Sequence, residues 1–185
     1  MIDIKDKSNC CGCAACVQRC PKQCISMVED NEGFLYPKVD TQVCVDCGMC
    51  EKVCPVINQS EERKPLGVFA AVNPNEQIRR ESSSGGIFTM LANKTIAKGG
   101  VVFGVKFNKD WMPEFGYAET MEDIAPFRGS KYVQAIVGNA YKKAEEFLKA
   151  GRDVLFSGTS CQIAGLKKFL RKDYENLLTV DIICH

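Results

Sequence analysis

Ten of the twelve cysteines in this 185-residue chain fall between Cys10 and Cys54. Eight of them form two runs with one spacing, Cys10-x2-Cys13-x2-Cys16-x3-Cys20-Pro21 and Cys44-x2-Cys47-x2-Cys50-x3-Cys54-Pro55. Three thiolates at i, i+3 and i+6 on a tight loop wrap one face of an iron–sulfur cube. The fourth, on a short helix ended by proline, reaches the other cube. The spacing therefore assigns Cys10, Cys13, Cys16 and Cys54 to one [4Fe–4S] cluster and Cys44, Cys47, Cys50 and Cys20 to a second. The chemistry this implies is the movement of single electrons. Zinc ribbons use paired CxxC knuckles instead of CxxCxxC with a fourth cysteine before proline. A [3Fe–4S] site usually lacks the central cysteine of its run, and Cys13 and Cys47 are both present. A secreted disulfide scaffold would spread its cysteines along the fold and follow an export signal, whereas residues 1–7 have no apolar core. Cys24 falls where a small apolar residue packs beside a cluster and reads as a buried thiol. Cys11 has no role by spacing.

The elements that must hold these thiolates are short. Gly12 and Gly48 are expected to bring the loop backbone close to sulfur and aim amide donors at it, and Pro21 and Pro55 to stop each helix by removing a donor. Between the runs, residues 25–29 and 34–39 read as two strands joined by a turn at Asp30-Asn31-Glu32-Gly33. Each half then supplies one loop, one helix and one strand about a pseudo-twofold axis, a pattern that resembles bacterial two-cluster ferredoxins over residues 8–56. A domain this small needs a staple, so cluster binding and folding should be coupled.

Residues 59–66 are polar and aperiodic and read as a linker between a domain at 1–58 and one at 67–185. The fold class expected is an α+β ferredoxin-like two-cluster domain followed by a mixed α/β domain. In the second part the strand candidates are 68–72, 101–107, 115–118, 153–156 and 178–183, and the helix candidates are 86–98, 139–150 and 162–172. Three segments there read as binding loops. Glu81-Ser82-Ser83-Ser84-Gly85-Gly86 precedes a helix, where free amides and hydroxyls can receive a phosphate or simply cap the helix. Arg128-Gly129-Ser130-Lys131-Tyr132-Val133-Gln134 puts two cations, a glycine and an aromatic together between elements. Ser157-Gly158-Thr159-Ser160-Cys161-Gln162 follows a strand and opens a helix, where α/β proteins place ligands and where a thiol is favoured as thiolate. A formal net charge of +1 gives no electrostatic case for nucleic acid, and no stretch reaches the roughly 18 apolar residues of a membrane span. The chain reads as cytoplasmic.

Taken in order, the segments SSSGGIFTMLA, VVFGVKF, FRGSKYVQ, LFSGTSCQIAGLKKFL and DIICH behind the cysteine runs resemble the family of coenzyme F-420 hydrogenase/dehydrogenase beta subunits. Members are iron–sulfur flavoproteins in which the α/β portion holds FAD. The resemblance implies that Ser84, Gly85, Gly86, Lys131 and Tyr132 face the flavin or its phosphates. It places Gly158, Thr159 and the catalytic candidate Cys161 close to the flavin ring or substrate. It also brings Cys184 to the same edge and offers Cys161 or Cys184 to an additional cluster. Members continue well past the position of His185, so the chain looks C-terminally truncated. Members carry GTPCQ where Ser160 replaces the proline, which leaves that loop less rigid. The function expected is an oxidoreductase component passing electrons between two [4Fe–4S] clusters and a flavin, with a redox partner subunit and a small-molecule hydride donor or acceptor. The alternative is a non-catalytic electron-transfer or docking subunit with the same clusters.

Overall fold

Strand alternation builds the larger part of the molecule. Along β3 (Val101–Phe107) and β5 (Val154–Thr159), Val101, Phe103, Val154 and Phe156 point to one face of the sheet. Val102 and Leu155 point to the other. The computed structural model, which describes residues 1–183, orders the four-stranded sheet β4-β3-β5-β6. β4 (Pro113–Ala118) is antiparallel to β3, while β5 and β6 (Leu177–Ile182) run parallel to it and to each other. One face is covered by the amphipathic helix α5 (Ala140–Lys149) and by α6 (Ser160–Leu170). The other takes α4 (Ile87–Ile96) and the 3-10 turn at Glu122–Phe127. Among the described residues, no helix is long and apolar enough to cross a membrane.

The first 58 residues carry their own two-stranded sheet. β1 (Ile25–Glu29) pairs antiparallel with β2 (Leu35–Val39), Ile25 opposite Val39 and Glu29 opposite Leu35. Asp30 closes the turn by accepting from the amides of Glu32 and Phe34, at 3.0 Å each. Two short helices, α1 (Ala15–Arg19) and α2 (Met49–Lys52), follow the cysteine loops. Residues 57–72 are exposed throughout. The two segments nonetheless share a core: Cys13, Ala14, Ala15 and Val53 pack with Tyr141, Ile163, Leu166 and Phe169 from α5 and α6.

The expected strand at 68–72 is overturned. Its apolar residues invite a ladder, but none of the described strands pairs with it, and Val68 and Phe69 are 87% and 89% exposed. Alternation supplies a face and not a partner. A helix absent from the sequence reading, α3 (Glu76–Arg80), is capped by Asn75, whose side chain accepts from the Ile78 amide at 3.1 Å. Cys184 and His185 lie outside the described residues.

Candidate functional site

The cysteine loops obey one rule twice. Gly12 and Asp46 hold equivalent places in the two runs and both take positive φ, 63° and 48°. One step on, Ala14 and Gly48 repeat it at 57° and 68°. The left-handed turn therefore belongs to the motif rather than to its glycines, and a non-glycine residue there stores about 1–2 kcal/mol of strain. The turn aims amides at sulfur: Asp46 N–H donates to Cys44 Sγ at 3.4 Å, and the Gly12 amide does the same for Cys10. Ile2 N–H adds a donor to Cys50 Sγ at 3.2 Å. Such donors steady thiolate charge and help set a cluster's potential.

Two cavities result. One is lined by Cys10, Cys13, Cys16 and Cys54, with Cys11 at its rim. The other is lined by Cys20, Cys44, Cys47 and Cys50, with Cys24 beside them and its sulfur 3.4 Å from that of Cys20. Each cavity thus draws three sulfurs from one run and the fourth from the other. Every described cysteine is free of disulfide bonding. Among the described residues, no three His, Cys, Asp or Glu side chains are set to hold a single metal ion. Burial pushes the Cys16 thiol up to about 12, so an uncompensated thiolate there is costly and iron ligation would remove its proton. An all-sulfur donor set lining a concave space fits an iron–sulfur cube.

Two of the three candidate loops in the α/β segment meet. Ser130 N–H donates to Ser83 Oγ at 2.7 Å, and Arg128 spans the gap, 2.6 Å from Glu81 and 3.2 Å from the buried Thr89 hydroxyl. Ser84 is exposed and Gly86 buried. A β-carbon on Gly85 would stand 2.7 Å from the Ala71 carbonyl oxygen, and one on Gly86 3.1 Å from Asn73 Cβ. Packing of the loop against residues 71–73 accounts for both glycines. Lys131 is turned inward and donates to the carbonyls of Pro126, Arg128 and Gly129 at 2.9–3.0 Å, its pKa lowered by burial. Tyr132 is 91% exposed.

The third loop goes to the cysteines. Thr159 and Gln162 form a reciprocal cap at the start of α6, with the Thr159 amide donating to Gln162 Oε1 at 2.9 Å. A β-carbon on Gly158 would press on that same oxygen at 2.9 Å. Cys161 Sγ lies 3.2 Å from Thr159 Oγ1 and faces Cys11. Its thiol is pushed upward, first by the hydrogen bond with Cys11 and then by burial. The thiolate expected from a helix N-terminus is therefore corrected, because a neighbouring thiol and desolvation outweigh the helix dipole.

Three contacts that join the segments were missed by sequence reasoning. Gln18 Oε1 accepts from the amides of Tyr141 and Lys142 at 3.0 and 3.3 Å and so caps α5 from outside. Gln134 Oε1 accepts from Leu35 N–H at 2.7 Å. Arg19 approaches Glu145 at 4.0 Å and lies over the Phe169 ring at 5.3 Å. Asn139, in the N-cap place, makes no side-chain cap bond, and Gln18 takes over that role.

Against this geometry, residues 9–58 match the 4Fe-4S dicluster domain, and residues 68–142 match the N-terminal part of the coenzyme F420 hydrogenase/dehydrogenase beta subunit. Residues 68–142 thus carry a segment of the coenzyme F420 hydrogenase/dehydrogenase beta-subunit family behind a dicluster segment. Among curated proteins, a subunit of the F(420)H(2) dehydrogenase of Methanosarcina mazei is 27% identical over 186 residues, covering 95% of this chain and 53% of its own length. An uncharacterized protein of Methanocaldococcus jannaschii, MJ1349, is 26% identical over 207 residues, covering 95% of this chain and 56% of that protein. The 7Fe ferredoxin of Hydrogenibacillus schlegelii is 49% identical over 43 residues, 23% of this chain and 49% of that one. The chain spans about half the length of the curated relatives it matches. A chain of the F420-reducing [NiFe] hydrogenase complex from Methanosarcina barkeri overlaps at a TM-score of 0.45 and 24% identity, over 58% of this chain and 40% of that one, a likeness too slight to build on.

Proposed function

We propose that this chain is the electron-transferring part of an oxidoreductase. In this reading a 1–58 domain holds two [4Fe–4S] clusters, and the α/β domain behind the 59–66 linker holds a flavin, FAD in type, that exchanges hydride with a small molecule. The single observation that carries the reading is the crossed composition of the two cavities, each lined by four run cysteines. Cys10, Cys13, Cys16 and Cys54 would hold one cluster, and Cys20, Cys44, Cys47 and Cys50 the other. When bound, these groups supply one-electron storage beside a two-electron carrier. The chain's own residues hold the sulfurs at the right spacing, direct amides at them, and keep water from Cys13, Cys16, Cys50 and Cys54. The relative named as an F(420)H(2) dehydrogenase subunit makes a deazaflavin the first hydride donor to try and a further subunit the expected redox partner. Free thiols in these numbers suit the reducing cytoplasm.

Topology supports a cofactor at one edge of the sheet. The end of α4 returns to the start of β3, since Gly100 N–H donates to the Thr95 carbonyl at 3.0 Å. α4 therefore runs antiparallel to β3, and its N-terminal end, with Ser84 and Gly86, lies toward the C-terminal ends of β3 and β5, as do Gly158, Thr159 and Cys161. The rival reading, a non-catalytic carrier or docking subunit, is favoured by Lys131, whose ammonium is already committed to three carbonyls. Counting iron, sulfide and flavin per chain after anaerobic purification tests the proposal. About eight irons, eight sulfides and one flavin are expected. Clusters without flavin after reconstitution would favour the carrier, and zinc or cystines would sink both readings.

A further inference from the structure

The two cysteine runs match in spacing, yet their loops do not share a setting. In the second loop Val43, Val45, Asp46 and Cys47 are exposed; in the first, Gly12, Cys13, Ala14, Ala15 and Cys16 are all buried. The cover comes from the α/β segment. Helix α6 approaches the first loop so closely that a β-carbon on Gly165 would stand 3.0 Å from Cys13 Cβ and Sγ and 2.9 Å from the Tyr141 hydroxyl. A mid-helix glycine weakens a helix, and close approach of a neighbour is the reason for this one. Gly12 is crowded in the same way by the Gln134 amide, which is also bonded to the Leu35 main chain. Gln18, between two cysteines of the first run, caps α5. Cys161 at the β5–α6 turn faces Cys11 at the rim of the first cavity. At the second run the α/β segment reaches Met49, 3.8 Å from Arg171 Nη1, and packs on Val53, but it leaves Val43, Val45, Asp46 and Cys47 uncovered.

We infer that the two cradles are fixed in unequal stations. Cys10–Cys13–Cys16–Cys54 is the inner station, clamped by Gly165, Gln134 and Gln18 against the β5–α6 turn. Cys20–Cys44–Cys47–Cys50 is the outer station, open to solvent and to a one-electron protein partner. Gly165 is a positioning residue, because it touches Cys13 and would not touch a substrate. The inference rests on the two-cluster reading proposed above.

Exposing the cluster-loaded protein to a water-soluble anionic iron chelator without oxygen tests it. Iron should leave in two equal phases roughly tenfold or more apart in rate, because the shell around a site governs solvent access to it. Cys47→Ala should remove the fast phase and Cys16→Ala the slow one. Gly165→Ala should speed the slow phase alone. Should Gly165→Ala fail to fold, a soluble lanthanide chelate added to the unmodified reduced protein gives a second readout. It should enhance the electron-spin relaxation of the cluster lost in Cys47→Ala more than that of the other. One phase for all the iron, a slow phase assigned to the second cradle, or equal relaxation enhancement would overturn the inference. Iron and sulfide far below about eight per chain would instead count against the two-cluster reading itself.

Discussion

Gln18 shows how one side chain ties two parts of the chain together. It is 5% exposed and takes two amide donors at the start of α5 onto a single oxygen. Replacing it with alanine would leave the amides of Tyr141 and Lys142 without an acceptor, one of them at a fully buried residue. Gln18→Ala should cost about 1–3 kcal/mol, measured by denaturant unfolding of the cluster-loaded protein. An unchanged midpoint would show that water takes over the cap. The eight ligand candidates were legible because ligand spacing is local and occurs twice. Gln18 was not, because its partners lie more than 120 positions away and a glutamine between two cysteines carries no mark of them. Cys161 shows the opposite error. Its place at a helix start was legible, but the thiol beside it, which reverses the expected ionisation, belongs to Cys11 in the other segment.

Among the elements, the hairpin at 25–39 and the strand at 101–107 follow the sequence closely, because turn chemistry and alternation settle them within a few residues. The segment at 68–72 has the same apolar alternation but no described neighbour to pair with, and a strand exists only in a ladder. The 3-10 turn at Glu122–Phe127, with Pro126 inside it, offered no periodicity to read. α1 and α2 are five and four residues long, too short to stand without help. Their support on one side is sulfur: Cys16, Cys20, Cys50 and Cys54 form one buried cluster with Ile2, Cys24 and Ile25. Stripping iron from the protein with acid should therefore abolish the helical circular dichroism of α1 and α2 and the protection of the 25–39 hairpin in hydrogen exchange. The sheet β4-β3-β5-β6 should keep its protection, since its strands pair with one another and its α4 face packs without any residue of the cysteine loops. Uniform loss of protection across both sheets would show that the shared core around Cys13 and Val53 couples them into one folding unit.

At the scale of the whole molecule, everything depends on sulfurs crossing between the runs: Cys54 closes the cavity of Cys10, Cys13 and Cys16, and Cys20 closes that of Cys44, Cys47 and Cys50. Crossing makes two short repeats into one unit, because each cavity takes its fourth sulfur from the other run. It also explains why a segment with so small an apolar core can present a defined surface to α5 and α6. The measurement that reaches this claim most directly is the cluster content of two double variants prepared without oxygen. Cys20→Ala with Cys47→Ala removes two sulfurs from the same cavity, and Cys13→Ala with Cys20→Ala removes one from each. Crossed ligation predicts one intact [4Fe–4S] cluster in the first variant, read by iron, sulfide and electron paramagnetic resonance, and none in the second. The reverse order, with the intact cluster in the second variant, would mean that each run closes on itself, and it would contradict crossed ligation.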